Sequence, residues 1–252
     1  MRNTQRLDKV LSNFGYGTRK EIKDAVKNGL VTVDGITVKD SGLHVDPENS
    51  LIQIGNETLR YRKNIYIMMN KPNGVVSATE DKHLKTVVDI LPEELRCFDL
   101  FPVGRLDIDT EGLLILTNDG KTAHELLSPK KHVSKRYYAI IEGEVTSEDV
   151  VKFKQGVVLD DGYETLPGEL FILKSGECSE IELVIYEGKF HQVKRMFEAV
   201  GKKVKYLKRI SMGDLKLDER LITGECRELT GQELKLLKQQ MDAEDIPDLL
   251  LK

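Results

Sequence analysis

The sequence predicts an α+β protein in two parts: a small N-terminal unit of two helices and a hairpin, then a larger unit mixing strands and helices. Three observations carry this. Helical and strand periodicities alternate along the chain, with turn residues between them. A helix-capping signal followed by a two-residue hairpin turn lies near the N-terminus. Residues 101–120 set a charged triplet between two apolar runs, a pattern of strand, charged turn and strand.

Taken in order, Leu7, Val10, Leu11 and Phe14 recur at i, i+3, i+4 and i+7, one apolar face of a short helix that Gly15-Tyr16-Gly17 ends. Thr18-Arg19-Lys20-Glu21 fits a capping box, in which the Thr18 hydroxyl accepts from a first-turn N–H and Glu21 reaches back to the Thr18 N–H. The second helix turns Ile22, Ala25 and Val26 inward, leaves Arg19, Lys20, Lys23 and Lys27 on or near its exposed side, and stops at Gly29. Val31-Thr32-Val33, Asp34-Gly35 and Ile36-Thr37-Val38 then spell a hairpin. Residues 55–64 are polar and basic and read as a linker.

In the larger part, Ile65 to Met69 is strand-like and runs into Asn70-Lys71-Pro72-Asn73-Gly74, where Pro72 and Gly74 force a turn. Within residues 101–120, Arg105-Leu106-Asp107 stands between Phe101-Pro102-Val103 and a run of Leu and Ile. Charges in apolar surroundings are costly unless paired, and they cluster where chemistry is done. Asp107 is therefore the candidate catalytic residue. Asp107, Asp109, Glu111 and Gly112 partly imitate the start of a calcium loop. Asn118, however, stands where such a loop needs a bidentate Glu, and Leu113 to Leu116 where it needs polar residues. A structural Arg–Asp pair in a tight turn also fits these local features.

Thr117-Asn118-Asp119-Gly120 closes the strand and starts a helix to about Leu127. Lys135 to Ile141 reads as a strand with Tyr137, Ala139 and Ile141 on one face and Tyr138 and Ile140 on the other. A strand from Ile181 to Tyr186 ends at Gly188. A helix begins near Phe190, with Val193, Met196, Phe197 and Val200 inward and Gly201 at its end. The cations near its start add to a helix dipole that favours anions. Residues 202–209 continue the basic surface along a half-buried strand, and Thr230 to Met241 reads as a C-terminal helix before an acidic tail.

The composition, 40% hydrophobic and 32% charged over 252 residues, is that of a soluble globular protein. No apolar stretch approaches a membrane span and the N-terminus has no apolar signal core. Cys97, Cys178 and Cys226 lie far apart without metal-ligand spacing, which suits a reducing cytoplasm. The net charge of −4 hides an uneven distribution: residues 189–209 carry 8 basic residues against 1 acidic, residues 214–252 carry 6 against 10. Screening confines fields to about 8–10 Å in physiological salt, so a local basic face can still collect phosphate.

Gly104-Arg105-Leu106-Asp107, followed by Thr110, Gly112, Leu113 and Leu114, resembles the central motif of the pseudouridine synthases. The likeness is to the branch that acts on ribosomal RNA (ribosomal small-subunit pseudouridine synthase A-like), and it extends from about residue 4 to 240. The two basic helices and hairpin resemble the alpha-L RNA-binding domain named after ribosomal small-subunit protein four. The resemblance implies three segments. Residues 1–60 would form that RNA-binding domain. Residues 64–243 would form a catalytic domain on a mixed, largely antiparallel sheet flanked by helices. Residues 244–252 would be the tail.

The resemblance also implies the chemistry. A target uridine in ribosomal RNA flips into the cleft, and ionised Asp107 acts as nucleophile or as the base that starts glycosidic cleavage. Tyr137, which follows Lys-x, stacks on the base. A basic residue pairs with Asp107, by position Lys194 first and Arg195 second. Arg105 arranges the flipped nucleotide, and a Lys-Pro-x-Gly element at Lys71 supports the cleft. RNA contacts fall to Arg19, Lys20, Lys23, Lys27, Lys71, Arg195, Lys202 and Lys203. The isomerisation requires no cofactor and no metal. The expected substrate is small-subunit (16S) RNA, free or in a subunit precursor, met by a cytoplasmic monomer with no membrane attachment. The alternatives are large-subunit (23S) RNA, or a non-catalytic RNA-binding assembly factor, which would not need Asp107 or Tyr137.

Overall fold

The computed structural model describes residues 4–59 and 61–242. The chain divides into two compact units, one of Met1–Ile65 with Leu91–Leu100, the other of Tyr66–Ile90 with Phe101–Lys252. The acidic tail and the outer limits of the expected segments lie outside the described residues.

The first unit contains α1 (Leu7–Asn13), α2 (Arg19–Lys27), β1 (Val31–Val33), β2 (Ile36–Thr37), β3 (Ile52–Ile54) and β4 (Glu57–Thr58). The capping box forms: the Glu21 N–H donates to Thr18 Oγ1 at 3.3 Å and the Thr18 N–H donates to Glu21 Oε2 at 2.7 Å. Asp34 and Gly35 both take positive φ, 51° and 79°, as the tight turn between right-twisted strands requires. Leu7, Leu11, Ile22, Val31 and Ile52 are buried together, each contributing about 1.5–3 kcal/mol by leaving water. Arg19, Lys20, Lys23 and Lys27 all stay exposed. The linker reading of residues 55–64 is corrected. β4 pairs with β3 through Ile54↔Glu57 and Gln53↔Thr58, and Leu59 joins the core. The segment looked like a linker because both side chains of this edge strand face water, leaving no apolar alternation.

The second unit is a nine-stranded mixed sheet with helices on its faces. Its main strands are β5 (Tyr66–Lys71), β6 (Glu111–Thr117), β7 (Lys135–Glu142), β8 (Glu169–Lys174), β9 (Cys178–Ile185), β10 (Lys203–Met212) and β11 (Cys226–Glu228), in spatial order β8-β9-β7-β10-β6-β5-β11. Its helices are α3 (Gly120–Leu127), α4 (Ser147–Gln155), α5 (Gln192–Ala199) and α6 (Gly231–Asp242). β6 and β10 run parallel, through Lys208↔Glu111 and Arg209↔Gly112, and every other ladder is antiparallel. Gly112 makes this contact possible: at φ +100° a Cβ there would stand 2.3 Å from the Arg209 carbonyl oxygen.

Tyr66, Met68, Leu113, Ile115, Leu126, Met212 and Leu237 form one core, to which α3 and α6 contribute. The buried Phe153 of α4 and Phe197 of α5 meet at 4.9 Å between ring centroids. β5 is buried at every position, which explains its unbroken apolar run. Among the described residues no helix is long and apolar enough to cross a membrane.

Candidate active site

Asp107 sits in the turn that joins the short strand Phe101–Pro102 to β6. The backbone of this turn is held on several sides. Lys71, at the end of β5 and 0% exposed, donates from Nζ to the carbonyl oxygens of Pro72 (3.0 Å), Asp107 (3.1 Å), Ile108 (3.3 Å) and Thr110 (3.0 Å). Ser77 Oγ donates to the Leu106 carbonyl at 2.9 Å, and the Leu106 N–H donates back to Ser77 Oγ at 3.1 Å. The Gly74 N–H donates to the Ile108 carbonyl at 2.8 Å, the structural use of the Pro72–Gly74 turn. Burial pushes the Lys71 ammonium down to about 8, with Asp109, Asp107 and Glu111 opposing. This overturns the assignment of Lys71 to RNA contact: its charge points inward, at carbonyls, and cannot reach a phosphate.

The opposite wall comes from α5. Lys194 Nζ lies 3.2 Å from Asp107 Oδ2 and 2.5 Å from Asp109 Oδ1. Burial works against the Lys194 charge, but the hydrogen bonds to Asp109 and Asp107 outweigh it and raise the ammonium above its ordinary range. His191, the residue that caps α5, takes φ 50° and brings Nε2 to 3.6 Å from Asp107 Oδ1. The helix thus starts two residues later than its sequence suggests, because the segment before it is pinned elsewhere. Glu187 accepts from the Tyr163 hydroxyl (2.6 Å), the Leu166 N–H (2.9 Å) and Gln192 Nε2 (2.7 Å), while the Lys189 N–H donates to Gln192 Oε1 at 2.9 Å. The bond to Glu187 drives the Tyr163 phenol up to about 12.

Tyr137, on β7 and 8% exposed, lines a cavity of about 50 Å³ with Leu106, Asp107, Thr110, Ile185 and Leu207. Asp107, Tyr137 and Lys194 are therefore brought together. Arg105 is exposed beside them and forms no ion pair among the described residues. A wider groove of about 800 Å³ elsewhere on the sheet is lined by Arg136, Glu182, Tyr186 and Lys208 and holds none of the candidate residues.

The basic surface expected over residues 189–209 is largely consumed within the fold. Arg195 bonds Asp160 and Asp161 at 2.5 and 2.7 Å, not Asp107. Lys202 bonds Asp149 at 2.9 Å with its side chain mostly covered, which removes it as a phosphate contact. Lys205 pairs with Glu142 at 2.8 Å, and Lys189 lies 4.6 Å from the centre of the Tyr163 ring. Arg209 is 2% exposed, and its Nε donates to the Leu113 carbonyl at 2.8 Å. Lys203 remains exposed. Sequence reasoning missed Ser77, Asp109, Glu187 and Gln192; only Asp109 and Gln192, close to motif residues, carried any signal. Among the described residues no group of three or more His, Cys, Asp or Glu side chains is placed to hold a metal ion.

These features find their counterpart in one family. The family described as RNA pseudouridylate synthase matches residues 65–199, and the S4 domain matches residues 5–51. The chain belongs to the RNA pseudouridine synthase family. It is 52% identical over 236 residues to the uncharacterised RNA pseudouridine synthase YtzG of Bacillus subtilis, covering 93% of this chain and 98% of that one. It is 40% identical over 230 residues to the ribosomal small subunit pseudouridine synthase A of Vibrio cholerae (91% and 97% covered). It is 37% identical over 245 residues to the ribosomal large subunit pseudouridine synthase B of Bacillus subtilis (94% and 97% covered).

Proposed function

We propose that this enzyme isomerises a single uridine of small-subunit ribosomal RNA, with Asp107 starting cleavage of the glycosidic bond. The observation that carries the reading is the Asp107–Lys194 contact of 3.2 Å at the mouth of the cavity lined by Tyr137. The bond from N1 of the base to C1′ breaks, the base turns, C5 bonds to C1′, and the C5 proton is given up as N1 gains one. Lys194 keeps the carboxylate charged and in place. Tyr137 stacks against the base from the cavity wall, and exposed Arg105 meets the RNA where the nucleotide leaves its stack.

The first unit supplies a phosphate-facing surface from Arg19, Lys20, Lys23 and Lys27, and on the second unit Lys203 is a separate RNA contact. The residue spans 1–60 and 64–243 serve as the binding and catalytic parts, and the enzyme works as a cytoplasmic monomer. The small-subunit assignment follows the segment His191-Gln192-Val193-Lys194-Arg195-Met196-Phe197, which is more like that of the small-subunit enzymes than of their large-subunit relatives.

The test is base-resolved mapping of pseudouridine in ribosomal RNA from cells lacking the gene, rescued by wild type or by Asp107→Asn. One small-subunit pseudouridine lost and restored by wild type alone is the expected result. A missing large-subunit site would transfer the substrate, and no change in either RNA would remove ribosomal RNA as the target.

A further inference from the structure

We propose that Lys135 and Arg209 form an electropositive floor behind the Asp107–Tyr137 cavity that stabilises the uracil anion while the base is detached from ribose. The inference rests on the reading above. Lys135 lies two residues before Tyr137 on the same face of β7, and its register partner on β9 is Ile185, which lines the cavity. The Lys135 Cε is 4.0 Å from where a Cβ on Gly188, another lining residue, would stand. Arg209 is the register partner of both Tyr137 and Gly112, two positions along β10 from the lining residue Leu207.

Among the described residues neither cation has a carboxylate within ion-pair distance. Among the described residues Lys135 makes no ion pair, and its Nζ donates to the Val133 carbonyl at 2.9 Å. Arg209 Nη2 is buried with no hydrogen-bond partner among the described residues. Glu187, the carboxylate whose field reaches Lys135, is already held by Tyr163, Leu166 and Gln192. Burial first, and the nearby Arg209 second, press the Lys135 ammonium down to about 8 against the pull of Glu187. Thr110 Oγ1, on the cavity wall, is likewise buried and unpartnered.

Two neighbouring cations withdrawn from water with no carboxylate in contact weaken a fold, and apolar residues of the same size would serve packing better. Such an arrangement is explained by a negative charge that arrives only during reaction. When N1–C1′ breaks, both bonding electrons leave with the base, and its charge spreads over N1 and the two carbonyl oxygens. The deficit at C1′ is met by Asp107, as nucleophile or as base. When the pair is returned as the C5–C1′ bond, the base is neutral again and Asp107 is released, and a shift of the C5 proton to N1 completes the product. Fixed positive charge aimed at the transient anion lowers both barriers and leaves ground-state RNA binding unaltered.

The experiment is single-turnover tritium release from 16S and 23S transcripts labelled with [5-³H]uridine, with wild type, Lys135→Met and Lys135→Arg at saturating enzyme. The methionine variant is expected to react about tenfold or more slowly, with unchanged RNA Kd and an equal or higher Tm, and the arginine variant to recover most of the rate. Equal rates for Lys135→Met and wild type would overturn the proposal, as would a rate loss matched by a loss of affinity or Tm. Should the methionine variant not fold, wild type and Lys135→Arg are compared at pH 7.5 and 9.5, Lys71 and Lys194 titrating alike in both. A smaller fall for arginine supports the proposal and equal falls refute it. Release by wild type from neither transcript would instead remove the functional reading itself.

Discussion

The Lys71 ammonium donates a hydrogen bond to the Asp107 carbonyl oxygen at 3.1 Å, so a buried cation on one strand fixes the backbone of the residue that carries the candidate carboxylate. The same ammonium gathers Pro72, Ile108 and Thr110. Backbone N–H groups serve this turn as well, Thr110 to the Asp107 carbonyl and Gly74 to that of Ile108, and the buried ammonium ties the same carbonyls to a neighbouring strand.

Lys71→Met should therefore strip four carbonyls of a shared donor. The expected loss of stability is about 1–3 kcal/mol, the cost of leaving a buried acceptor unsatisfied, set against the relief of a buried charge. Urea unfolding measures it, and an unchanged midpoint would show that water or Ser77 holds the turn alone.

Lys71 and Lys135 both sit near 8 in the folded chain against a usual 10.5. Between those values the unfolded chain binds more protons, so their contribution to stability rises with pH. Wild type should gain stability relative to Lys135→Met between pH 7.5 and 9.5, while turnover falls as both ammonium charges are lost. Parallel urea midpoints for the two proteins across that window would contradict this.

Lys194 and Arg195 are adjacent but face different partners, Asp107 with Asp109 and Asp160 with Asp161. Lys194→Ala should lower the single-turnover rate about a hundredfold by leaving Asp107 unplaced. Arg195→Ala should stay within about threefold, since its ion pairs are at the surface. Equal effects would mean that the whole helix start, and not the Lys194 contact, positions the carboxylate.

Gly112→Ala places a methyl 2.3 Å from the Arg209 carbonyl at φ +100°. The strand must part from β10 to admit it, and a loss above about 3 kcal/mol is expected in a thermal or urea melt. Gly120→Ala, where a Cβ meets nothing within 4 Å, is the control that should leave the fold intact.

Replacing Arg19, Lys20, Lys23 and Lys27 together by Glu should weaken RNA binding and flatten its salt dependence. Each lost phosphate contact removes about 0.7–0.9 from the slope of log K against log salt. The reaction rate at saturating enzyme should hold. An unchanged slope would show that α2 faces bulk water in the complex.

What was legible in the sequence was what neighbours along the chain decide. Thr18 with Glu21, and Asp34 with Gly35, announce a cap and a turn because their partners lie within a few residues. Asp107 stood out because its apolar flanks made a charge conspicuous. Lys71 was misread because lysines are usually exposed and its four acceptors come from Pro72 and a turn more than thirty residues away. The basic run 189–209 was misread for the same reason. The carboxylates that neutralise it, Asp109, Glu142, Asp149, Asp160 and Asp161, belong to other elements that only the sheet order brings near.

The parallel ladder of β6 and β10 has a consequence for synthesis. Leu113 and Arg209, which it brings into hydrogen-bond contact, are 96 positions apart. At roughly 5–20 residues per second, the Asp107 turn of a nascent chain precedes the strand that braces it by roughly 5–20 seconds. A fragment ending short of β10 therefore lacks the strand that pairs with β6 at Glu111 and Gly112, and its Asp107 turn is left without that brace.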